Sequence, residues 1–588
     1  MKKACSMILG FLLMLSLFGC QTQKPQTSTG MPAGTYEGKA NGYGGEISAV
    51  VTLSAEKIES IEVSAEKETP TVGGSAIEVL VGRMLEVQST QVDGISGATR
   101  SSEGLIQAVN AALQAAGVDP TALTPKQVEK ETSTVEKTTE IVVVGAGGAG
   151  MSAAISIAQA GHQVILVEKG AAVGGNTSRA TGGMNAAETH YQKEQGIEDS
   201  VEVFIQDTME GGHQLNNPEL VKTLAENSAA AIDWLDSFGA NLTSIKFAGG
   251  ATNMRSHRPV DAEGKVIPVG TYLVEKFQEQ LKALNIEVIY NAEVDTLILD
   301  NGVVTGVQAK GENTEYTLHA DAVVVSTGGF GGNLDLVTQY RPDLAGYVST
   351  CSPTVEGDAI AFLTAIGADF VDMDQIQIHP TVIQADGYLI SESLRGDGAI
   401  LVNAGGKRFI NELLTRDVVS AGVIAEEGSF AWLIVDQAMY DDSKVVQGYV
   451  EKGYMVKGET AEELAAAMEV DPAALSETLA NWSTYVKNAE DSDFQREGLD
   501  QTQYDLAEGP YYAAKIAPGI HHCMGGVRIN PQAEVLNAEG QAIPGLYAAG
   551  EVTGGVHGGN RLGGNAVTDV VVFGRIAAAS ALDYIAGK

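Results

Sequence analysis

The stretch EIVVVGAGGAG, residues 140–150, decides the fold of this chain. Its four consecutive β-branched residues, 141–144, have the composition of a strand buried on both faces of a parallel sheet. The strand runs into a G-x-G-x-x-G turn and an alanine-rich segment, which predicts a helix. The glycines allow a tight turn and a close approach of the backbone to a pyrophosphate. We therefore predict that Gly145, Ala146, Gly147 and Gly150 bind a dinucleotide.

A second buried strand, residues 164–167, ends at Glu168, which lies 18 positions after Gly150. A carboxylate at this place accepts hydrogen bonds from the ribose of a bound dinucleotide. A lone glycine motif is weak, but the order of strand, glycine turn, helix and acidic strand end is specific. It predicts an α/β fold with a Rossmann-like domain.

Three distant segments favour FAD over NAD as the dinucleotide. Residues 174–177 and 181–185 follow the second strand, residues 322–329 form another strand-to-glycine turn, and residues 545–551 end in an acid suited to the flavin ribitol. Separate segments that converge on one cofactor are typical of flavoproteins. The predicted FAD contacts beyond the first turn are Glu168, Asn176, Thr177, Gly182, Gly183, Asp358, Glu551, Ala566 and Val567.

Length, charge and cysteine content narrow the function further. The chain has 588 residues, enough for several domains, and a formal net charge of −38. That charge argues against nucleic acid and against an anionic membrane surface as the main partner, so an anionic substrate needs a local basic pocket. The four cysteines form no C-x-x-C pair, which excludes c-type haem attachment and common zinc or iron–sulfur patterns. We predict no metal site.

The first twenty residues read as a lipoprotein export signal. Two lysines precede an apolar run too short to span a bilayer, and the run ends in a lipobox at Cys20. An ordinary cleaved signal with a chance cysteine is the alternative. Residues 21–32 would form a polar tether. Since we find no later transmembrane segment, we expect an exported protein that Cys20 alone anchors, by its lipid, to the outer face of the cytoplasmic membrane.

Residues 33–117 form a separate α+β module by their pattern. Three alternating stretches predict strands, and residues 77–85 and 103–116 predict helices. Between the helices lies DGISGATRSS, residues 93–102, which resembles the FMN-binding domain of redox-driven sodium pumps and extracellular reductases. The resemblance implies that a flavin transferase joins FMN to Thr99 through a phosphoester. A plain loop capping the following helix is the alternative. Residues 118–138 read as a linker.

Five later motifs occur in the order of one enzyme family: QIHPT (377–381), SESLRG (391–396), NELLTRD (411–417), HHCMGG (521–526) and GGVHGGNRLGGN (554–565). About three quarters of the chain thus resembles the soluble fumarate reductase family, which includes flavocytochrome c fumarate reductase and urocanate reductase. The resemblance implies non-covalent FAD and an α+β clamp, or capping, domain inserted into the FAD-binding domain. We assign residues 139–373 and 521–588 to the FAD-binding domain and residues 374–520 to the clamp.

The same resemblance implies a role for each polar residue in these motifs. Arg416 would donate the proton, with Glu392 and Arg395 as its relay, while the hydride would come from N5 of FAD, which His522 would contact. The substrate is expected to be a small unsaturated carboxylate. Its binding residues would be Arg561 and His521 at one carboxylate, His379 and Ser391 at the other, and Glu392 and Gly564 beside them.

The substrate itself is left open by the sequence. Fumarate, which would be reduced to succinate in anaerobic respiration, is the first candidate substrate, because the chain has the histidine of the family motif at His379. Leu389, Ser391 and the pair Phe247–Ala248 depart from the fumarate reductase pattern, so urocanate or another acrylate-type acid, such as methacrylate or a cinnamate-type acid, stands second. An exported flavin oxidase or 3-ketosteroid-type dehydrogenase, and a lipid-anchored flavin electron carrier, are the rival classes. FMN would receive electrons from an external donor, a quinol-linked flavoprotein or a cytochrome.

Overall fold

The structure is a computed structural model that describes residues 31–68, 73–95, 98–126 and 132–588. The predicted export signal, its Cys20 and nearly all of the tether lie outside the described residues. So do Ser96 and Gly97 of the FMN motif and the side chain of Thr99.

The N-terminal module is a three-stranded antiparallel sheet covered by two helices. Its elements are β1 (Gly34–Asn41), β2 (Glu46–Leu53), β3 (Ile58–Ser64), α1 (Ser75–Val87) and α2 (Thr99–Ala115). Alternate residues of β2 face the helices and are buried, as the period of a strand requires. A Cβ on Gly38 would lie 2.2 Å from the carbonyl oxygen of Ala108, so α2 lies directly on β1.

The second helix starts earlier than the sequence predicts, at Thr99 instead of Glu103. Thr99 and the two serines after Arg100 are weak helix formers, so composition alone suggests a loop. In the structure, the hydroxyl of Ser102 donates to the carbonyl oxygen of Ala98 over 2.9 Å and stabilises this first turn. The motif threonine is therefore the first residue of a helix.

Residues 133–371 contain the end of the predicted linker and most of the predicted FAD-binding domain. The elements are β4 (Ser133–Thr138), β5 (Ile141–Val144), α3 (Gly148–Gln159), β6 (Val164–Val167), β7 (Met184–Asn185), α4 (His190–Gln195), α5 (Val201–Gly211), α6 (Pro218–Glu226), α7 (Ser228–Asp236), β8 (Ser244–Lys246), β9 (Ser256–Arg258), α8 (Val269–Ala283), β10 (Glu287–Ile289), β11 (Glu293–Asp300), β12 (Val303–Lys310), β13 (Thr314–His319), β14 (Ala322–Val325), α9 (Leu334–Tyr340), α10 (Asp358–Ala365) and β15 (Phe370–Val371).

The stretch assigned to the clamp contains a second large sheet and six α-helices. The elements are β16 (Ile376–Ile383), β17 (Tyr388–Leu389), α11 (Ser393–Asp397), β18 (Ile400–Val402), α12 (Arg416–Ala425), β19 (Ala431–Asp436), α13 (Gln437–Asp442), α14 (Lys444–Glu451), β20 (Met455–Gly458), α15 (Ala461–Met468), α16 (Pro472–Asn488) and β21 (Tyr511–Cys523). The C-terminal elements are β22 (Gly526–Arg528), β23 (Glu534–Leu536), β24 (Ala542–Ala548), β25 (Thr553–Gly554) and α17 (Asn565–Ala586).

The dinucleotide sheet has the order β10-β6-β5-β14-β24-β23. Its first five strands are parallel, and β23 is antiparallel to β24. Because β24 comes from the C-terminal stretch and pairs with β14, two distant parts of the chain complete one sheet. Helices α3 and α17 pack against each other beside it.

Strand β21 is the central strand of the second sheet. It pairs with β16 and β19 in the second sheet, whose order is β17-β16-β21-β19-β18, and it continues to Cys523, past the predicted clamp boundary at residue 520. In its register with β16, His379 lies opposite Gly519 and Gln377 lies opposite His522. This long strand brings histidines from two motifs to one place.

Two expectations from the sequence are corrected by the fold. The end of the predicted linker, residues 133–138, is strand β4, which pairs in parallel with β13 and extends a four-stranded sheet. Helix α17 is also long and apolar enough to cross a membrane, contrary to our expectation of no such segment, with a mean hydropathy of 1.3 over its most apolar window. However, 61% of that window is buried, because α17 packs in the core against α3 and the dinucleotide sheet.

Candidate active site

The turn between β5 and α3 has the close contacts that its glycines predict. Gly145 has a φ of +96°, and a Cβ there would meet the carbonyl oxygen of Ser326 at 2.5 Å. A Cβ on Gly150 would lie 1.8 Å from the carbonyl oxygen of Gly145. A Cβ on Gly147 would meet nothing within 4 Å. The first and third glycines therefore pack the turn, and the second leaves its backbone open to a phosphate.

We expect Gly150→Ala to abolish FAD binding, because a methyl group cannot fit against a backbone oxygen 1.8 Å away without moving the turn. The measurement is the FAD released per chain when the purified, folded protein is denatured. Gly448→Ala in α14 is the matched control, since its Cβ meets nothing within 4 Å. A Gly150→Ala protein with a full complement of FAD would contradict this reading of the turn.

A cleft of about 1570 Å³, its open mouth included, runs from this turn to the second sheet. Ala146 and Gly150 do not line it; Ala146 is buried, and its N–H donates to Glu168. The predicted cofactor residues that do line it are Gly145, Gly147, Glu168, Asn176, Thr177, Gly182, Gly183, Asp358, His522, Glu551, Ala566 and Val567.

Two carboxylates are held rigidly in the wall of the cleft. Glu168 accepts from the N–H groups of Ala146 at 2.8 Å and Gly170 at 2.6 Å. Glu551 accepts from Asn176 at 2.8 Å and from the N–H of Cys523 at 3.1 Å. Burial raises the pKa of both Glu168 and Glu551. The open glycine turn and these two fixed acids, placed along one long cleft, fit the phosphates, ribose and ribitol of FAD.

At the other end of the cleft, Arg416 is held by three hydrogen bonds. Its Nε and Nη2 donate to the two carboxylate oxygens of Glu392, over 2.8 and 2.6 Å, and its Nη1 donates to Gln377 Oε1 over 2.8 Å. A guanidinium has five N–H groups, so two are left for another acceptor. Arg416 and Glu392 both line the cleft, so this bidentate pair faces whatever binds there.

Behind this pair, Glu392 contacts a second arginine. Arg395 Nη2 donates to Glu392 over 3.3 Å, and its Nη1 donates to the carbonyl oxygen of Glu412 over 2.7 Å. Burial favours the neutral form of Glu392, but Arg416, Arg395 and Arg561 outweigh it and lower the pKa of Glu392 to about 2. Burial also lowers the pKa of Arg395 to about 10. Arg395 does not itself line the cleft; it contacts the site through Glu392.

Two histidines and a third arginine lie at the same end of the cleft as Arg416, where they add hydrogen-bond donors and one more cation. The rings of His379 and His521 lie 5.0 Å apart, and His521 Nδ1 is 2.7 Å from Thr350 Oγ1. Burial and the charge of Arg416 lower the pKa of both histidines well below 6.5. Arg561 is buried, its Nε has no hydrogen-bond partner among the described residues, and burial together with Arg416 lowers its pKa to about 9.

The tautomer of His379 follows from its neighbours. The backbone N–H of Thr381 donates to His379 Nδ1 over 3.2 Å, so a neutral ring carries its proton on Nε2. That buried Nε2 has no hydrogen-bond partner among the described residues and lies 4.0 Å from a Glu392 oxygen. His379 thus presents a free N–H donor, which an anionic ligand would satisfy.

The remaining predicted substrate residues also reach the cleft. Ser391 and Gly564 line it, as does Leu389, one of the departures from the family pattern. Phe247 and Ala248, the other departures, do not line it. Phe247 instead packs over Gly498.

Sequence reasoning gave no role to two residues that hold the site together. Gln377 accepts from Arg416 and donates to the carbonyl oxygen of Arg561 over 2.7 Å, so it joins the two arginines. A Cβ on Gly563 would lie 1.4 Å from a Glu392 oxygen. Both residues stand inside motifs that the sequence shows, but their contacts involve partners far away in the chain.

A buried ion cluster supports the relay from behind, and the sequence did not predict it. Glu412 is fully buried and accepts from Arg408 at 2.8 and 2.9 Å and from Arg496 at 3.2 Å. Asp491 bonds Arg408 as well, and both arginines lie over the ring of Trp482 with their Cζ atoms 4.7 Å from its centroid.

A smaller cavity of about 460 Å³, open solvent included, separates the N-terminal module from the FAD-binding domain. On the module side it is lined by Ile95 and Ala98 of the FMN motif. Its other lining residues include four that also line the large cleft: Glu168, Gly175, Arg179 and Thr354. One layer of residues therefore separates the FMN motif from the large cleft.

Fold and site together define a flavin-dependent oxidoreductase with one domain for FAD and one for FMN. The model of the FAD binding domain matches residues 140–567, and that of the FMN-binding domain matches residues 42–114. The chain belongs to the fumarate reductase and urocanate reductase family of flavoproteins, whose members are oxidoreductases acting on CH–CH groups.

Three comparisons illustrate this membership. The chain is 41% identical to the NADH:fumarate oxidoreductase of Klebsiella pneumoniae over 93% of its own length, although it spans only 58% of that relative. It is 35% identical to the urocanate reductase of Eggerthella lenta over 96% of both chains. A solved structure of a flavocytochrome c3 fumarate reductase in an open conformation superimposes with a TM-score of 0.62 at 43% identity, covering 76% of this chain and 78% of the other.

Proposed function

We propose that this protein reduces the C=C bond of a small unsaturated carboxylate, with fumarate as the first candidate substrate. The observation that carries the proposal is the arrangement around Arg416. Its guanidinium is clamped by Glu392 and Gln377 at one end of the cleft that fits FAD, beside two neutral histidines and a buried arginine. A flavin electron carrier has no need of this set of donors.

Substrate binding would neutralise groups that are costly to bury alone. Arg561 is a buried cation whose Nε is unpaired within the part of the chain that the structure describes, and the same is true of His379 Nε2–H. A carboxylate at each position would accept those bonds and offset the cost of desolvating both groups. Because the two groups lie on separate segments of the cleft wall, a dicarboxylate would bind them together and be held in one orientation.

Arg416 would deliver the proton to the reacting carbon. When bound, reduced FAD supplies the hydride for this reaction. Arg416 keeps two N–H groups beyond its bonds to Glu392 and Gln377, and a proton given from one of them would be replaced through Glu392. Glu392 in turn contacts Arg395, so a proton could be passed along Arg395, Glu392 and Arg416.

Electrons would enter through FMN on Thr99. In support, Thr99 begins α2 directly after Ala98, which lines the small cavity, and one layer of residues separates that cavity from the large cleft. A flavin bound at the motif would thus lie close to a flavin in the cleft. A flavin transferase would attach it, and an external quinol-linked flavoprotein or cytochrome would reduce it.

The identity of the acid is tested by an anaerobic assay with reduced methyl viologen as the donor. Fumarate, urocanate, methacrylate and a cinnamate-type acid are offered to the flavin-loaded protein. We expect fumarate to give the highest kcat/KM, since His379 offers a donor for a second carboxylate. Urocanate is the second candidate, because the urocanate reductase of Eggerthella lenta aligns over 96% of both chains. No oxidation of methyl viologen with any of the four acids would contradict the proposed reaction.

We expect His379→Ala to raise the KM for fumarate by about tenfold to a hundredfold, which corresponds to about 1.4–2.8 kcal/mol, the contribution of one hydrogen bond to a charged group. The KM for methacrylate, which has no second carboxylate, should change much less.

Since burial and Arg416 keep the pKa of His379 well below 6.5, the wild-type KM for fumarate should not rise between pH 6 and 8. If His379 had to be protonated to bind fumarate, it would lose its charge between pH 6 and 8. Binding of the fumarate dianion would then weaken, and KM would rise over that range.

We also propose that the protein works outside the cytoplasmic membrane, held by a lipid on Cys20. The support is the lipobox alone, which lies outside the described residues. Labelling cells with a fatty-acid analogue tests it: the wild-type chain should carry the label and fractionate with membranes, and Cys20→Ser should not. A labelled Cys20→Ser protein would refute the anchor.

A further inference from the structure

Two arms of one hairpin carry residues of the proposed substrate site. Strand β16 contains His379, strand β17 leads into Ser391 and Glu392, and the two strands pair antiparallel. The arms are tied together, because Thr381 Oγ1 donates to the carbonyl oxygen of Ile390 over 2.6 Å. A shift of the hairpin would therefore move His379 and Glu392 together.

The tip of this hairpin is held by the FMN-binding module. Arg100, the residue after the motif threonine, donates to the Asp386 carboxylate in the turn between the two strands. Tyr454 also donates to Asp386, over 2.6 Å, and Asp386 accepts the N–H of Tyr388 over 3.2 Å. The Arg100 side chain is 46% exposed and that of Asp386 is 22% exposed, so solvent reaches this ion pair from the side of the arginine.

A second contact reaches the hairpin from the same module. Lys452 Nζ lies 4.0 Å from the ring centroid of Tyr43 in the module and 5.8 Å from that of Tyr388 on the hairpin. Tyr388 packs edge-on against Tyr449, whose hydroxyl accepts the N–H of Ser391 over 2.9 Å. A chain of contacts thus runs from Tyr43 to the backbone of a substrate residue.

The opposite side of the tip is fixed by the FAD-binding domain. Gly387 has a φ of +70°, and a Cβ on it would lie 2.2 Å from the carbonyl oxygen of Ser349. Ser349 precedes Thr350, which contacts His521. The hairpin tip is therefore held between the two flavin-binding parts of the chain.

We propose that the FMN-binding module has a second task beyond carrying flavin: through Arg100 and Tyr43 it positions the hairpin at residues 376–392 and so sets the substrate geometry of His379 and Glu392. Arg100, Asp386 and Tyr43 are positioning residues, since they act through the hairpin. The effect on catalysis rests on the proposed function; the effect on the hairpin does not.

The test separates this task from electron delivery by using methyl viologen to reduce FAD directly. With that donor, Asp386→Asn in the otherwise intact, flavin-loaded protein should raise the KM for the reduced acid by about threefold to fivefold, as expected for one ion pair. Arg100→Asp should do the same, and the double variant Arg100→Asp with Asp386→Arg should recover part of the loss in KM, because an arginine at position 386 restores the ion pair but cannot accept from the N–H of Tyr388 or from the Tyr454 hydroxyl. The matched control is Arg83→Gln, which removes a 3.5 Å ion pair between the module and Glu312, away from the hairpin, and should leave KM unchanged.

Hydrogen–deuterium exchange gives a readout that needs no turnover. Backbone amides of residues 384–392 should exchange faster in Asp386→Asn and Arg100→Asp than in wild type, and at the wild-type rate in Arg83→Gln. The charge-swapped pair should exchange at a rate between those of wild type and Arg100→Asp. Unchanged exchange and unchanged KM in both single variants would overturn the proposal. If no acid is reduced but exchange in the hairpin rises, the proposed function fails and the positioning contact stands.

Discussion

Arg416→Gln is expected to lower kcat for the reduction of the acid by about a hundredfold to ten-thousandfold, the range for loss of a general acid. The glutamine keeps a polar side chain but has neither the charge nor the fork that bonds Glu392 and Gln377 at once. It also leaves Glu392 with Arg395 as its nearest cation, which removes the proposed path for the proton. FAD content should not change, because Arg416 lies at the opposite end of the cleft from the glycine turn.

The measurement is single-turnover reoxidation of the reduced protein by the acid, followed by flavin absorbance. Arg416→Lys should fall nearly as far, since a lysine carries charge but no bidentate fork. The control is Arg528→Gln, which removes an arginine that is 44% exposed and pairs with Asp369 on the surface. An Arg416→Gln enzyme within tenfold of wild type would show that the proton comes from elsewhere.

Glu412→Ala is expected to cost about 3–5 kcal/mol of stability in the clamp region, the usual loss when one partner of a buried ion pair is removed. Arg408 and Arg496 would be left with fewer carboxylate oxygens in a site that excludes water. Urea unfolding followed by tryptophan fluorescence measures the change, because Trp482 lies against both arginines. The exposed Glu459→Ala, which breaks a surface pair with Lys457, should cost less than about 1 kcal/mol.

The pH dependence of this loss has a definite sign. Burial favours the neutral form of Glu412, but Arg408 and Arg496 outweigh it and lower its pKa below 4.5. Because the folded pKa lies below the unfolded value, the stabilisation is complete above pH 4.5 and declines as pH falls through the folded pKa. The gap in stability between wild type and Glu412→Ala should therefore narrow in acid. If the difference in stability between wild type and Glu412→Ala grew below pH 4.5, the assignment of a negative charge to Glu412 in the folded protein would be wrong.

Much of the fold follows from local pattern. The glycine turn at residues 145–150 stands between a strand and a helix as predicted, and Glu168 ends the next strand. Such features can be derived from the sequence because turn conformation and strand alternation depend on near neighbours. Strand β4 was missed for the opposite reason: its residues, STVEKT, are mostly polar and mostly exposed, and only pairing with β13, 181 positions later in the chain, makes them a strand.

The candidate site also has features that follow from local motifs and features that depend on tertiary contacts. The order of the motifs identified Arg416, Glu392, His379, His521 and Arg561 as a set, and the structure places them at one end of the cleft. Their roles as donor, relay and substrate contacts stay predictions. What the pattern did not show is how they are joined: Gln377 accepts from Arg416 and donates to the backbone of Arg561, which lies 184 positions after Gln377.

The sequence by itself determined the family, the two flavin-binding turns and the residues that meet in the cleft. Each of these can be identified from a short motif, because its residues are close together in the chain. Only the tertiary structure decided the ionisation of Glu392, whose pKa of about 2 needs three arginines from three segments, and the contact of Arg100 with Asp386, 286 positions away. Burial and the distance between charges set such properties, and both depend on how distant segments pack.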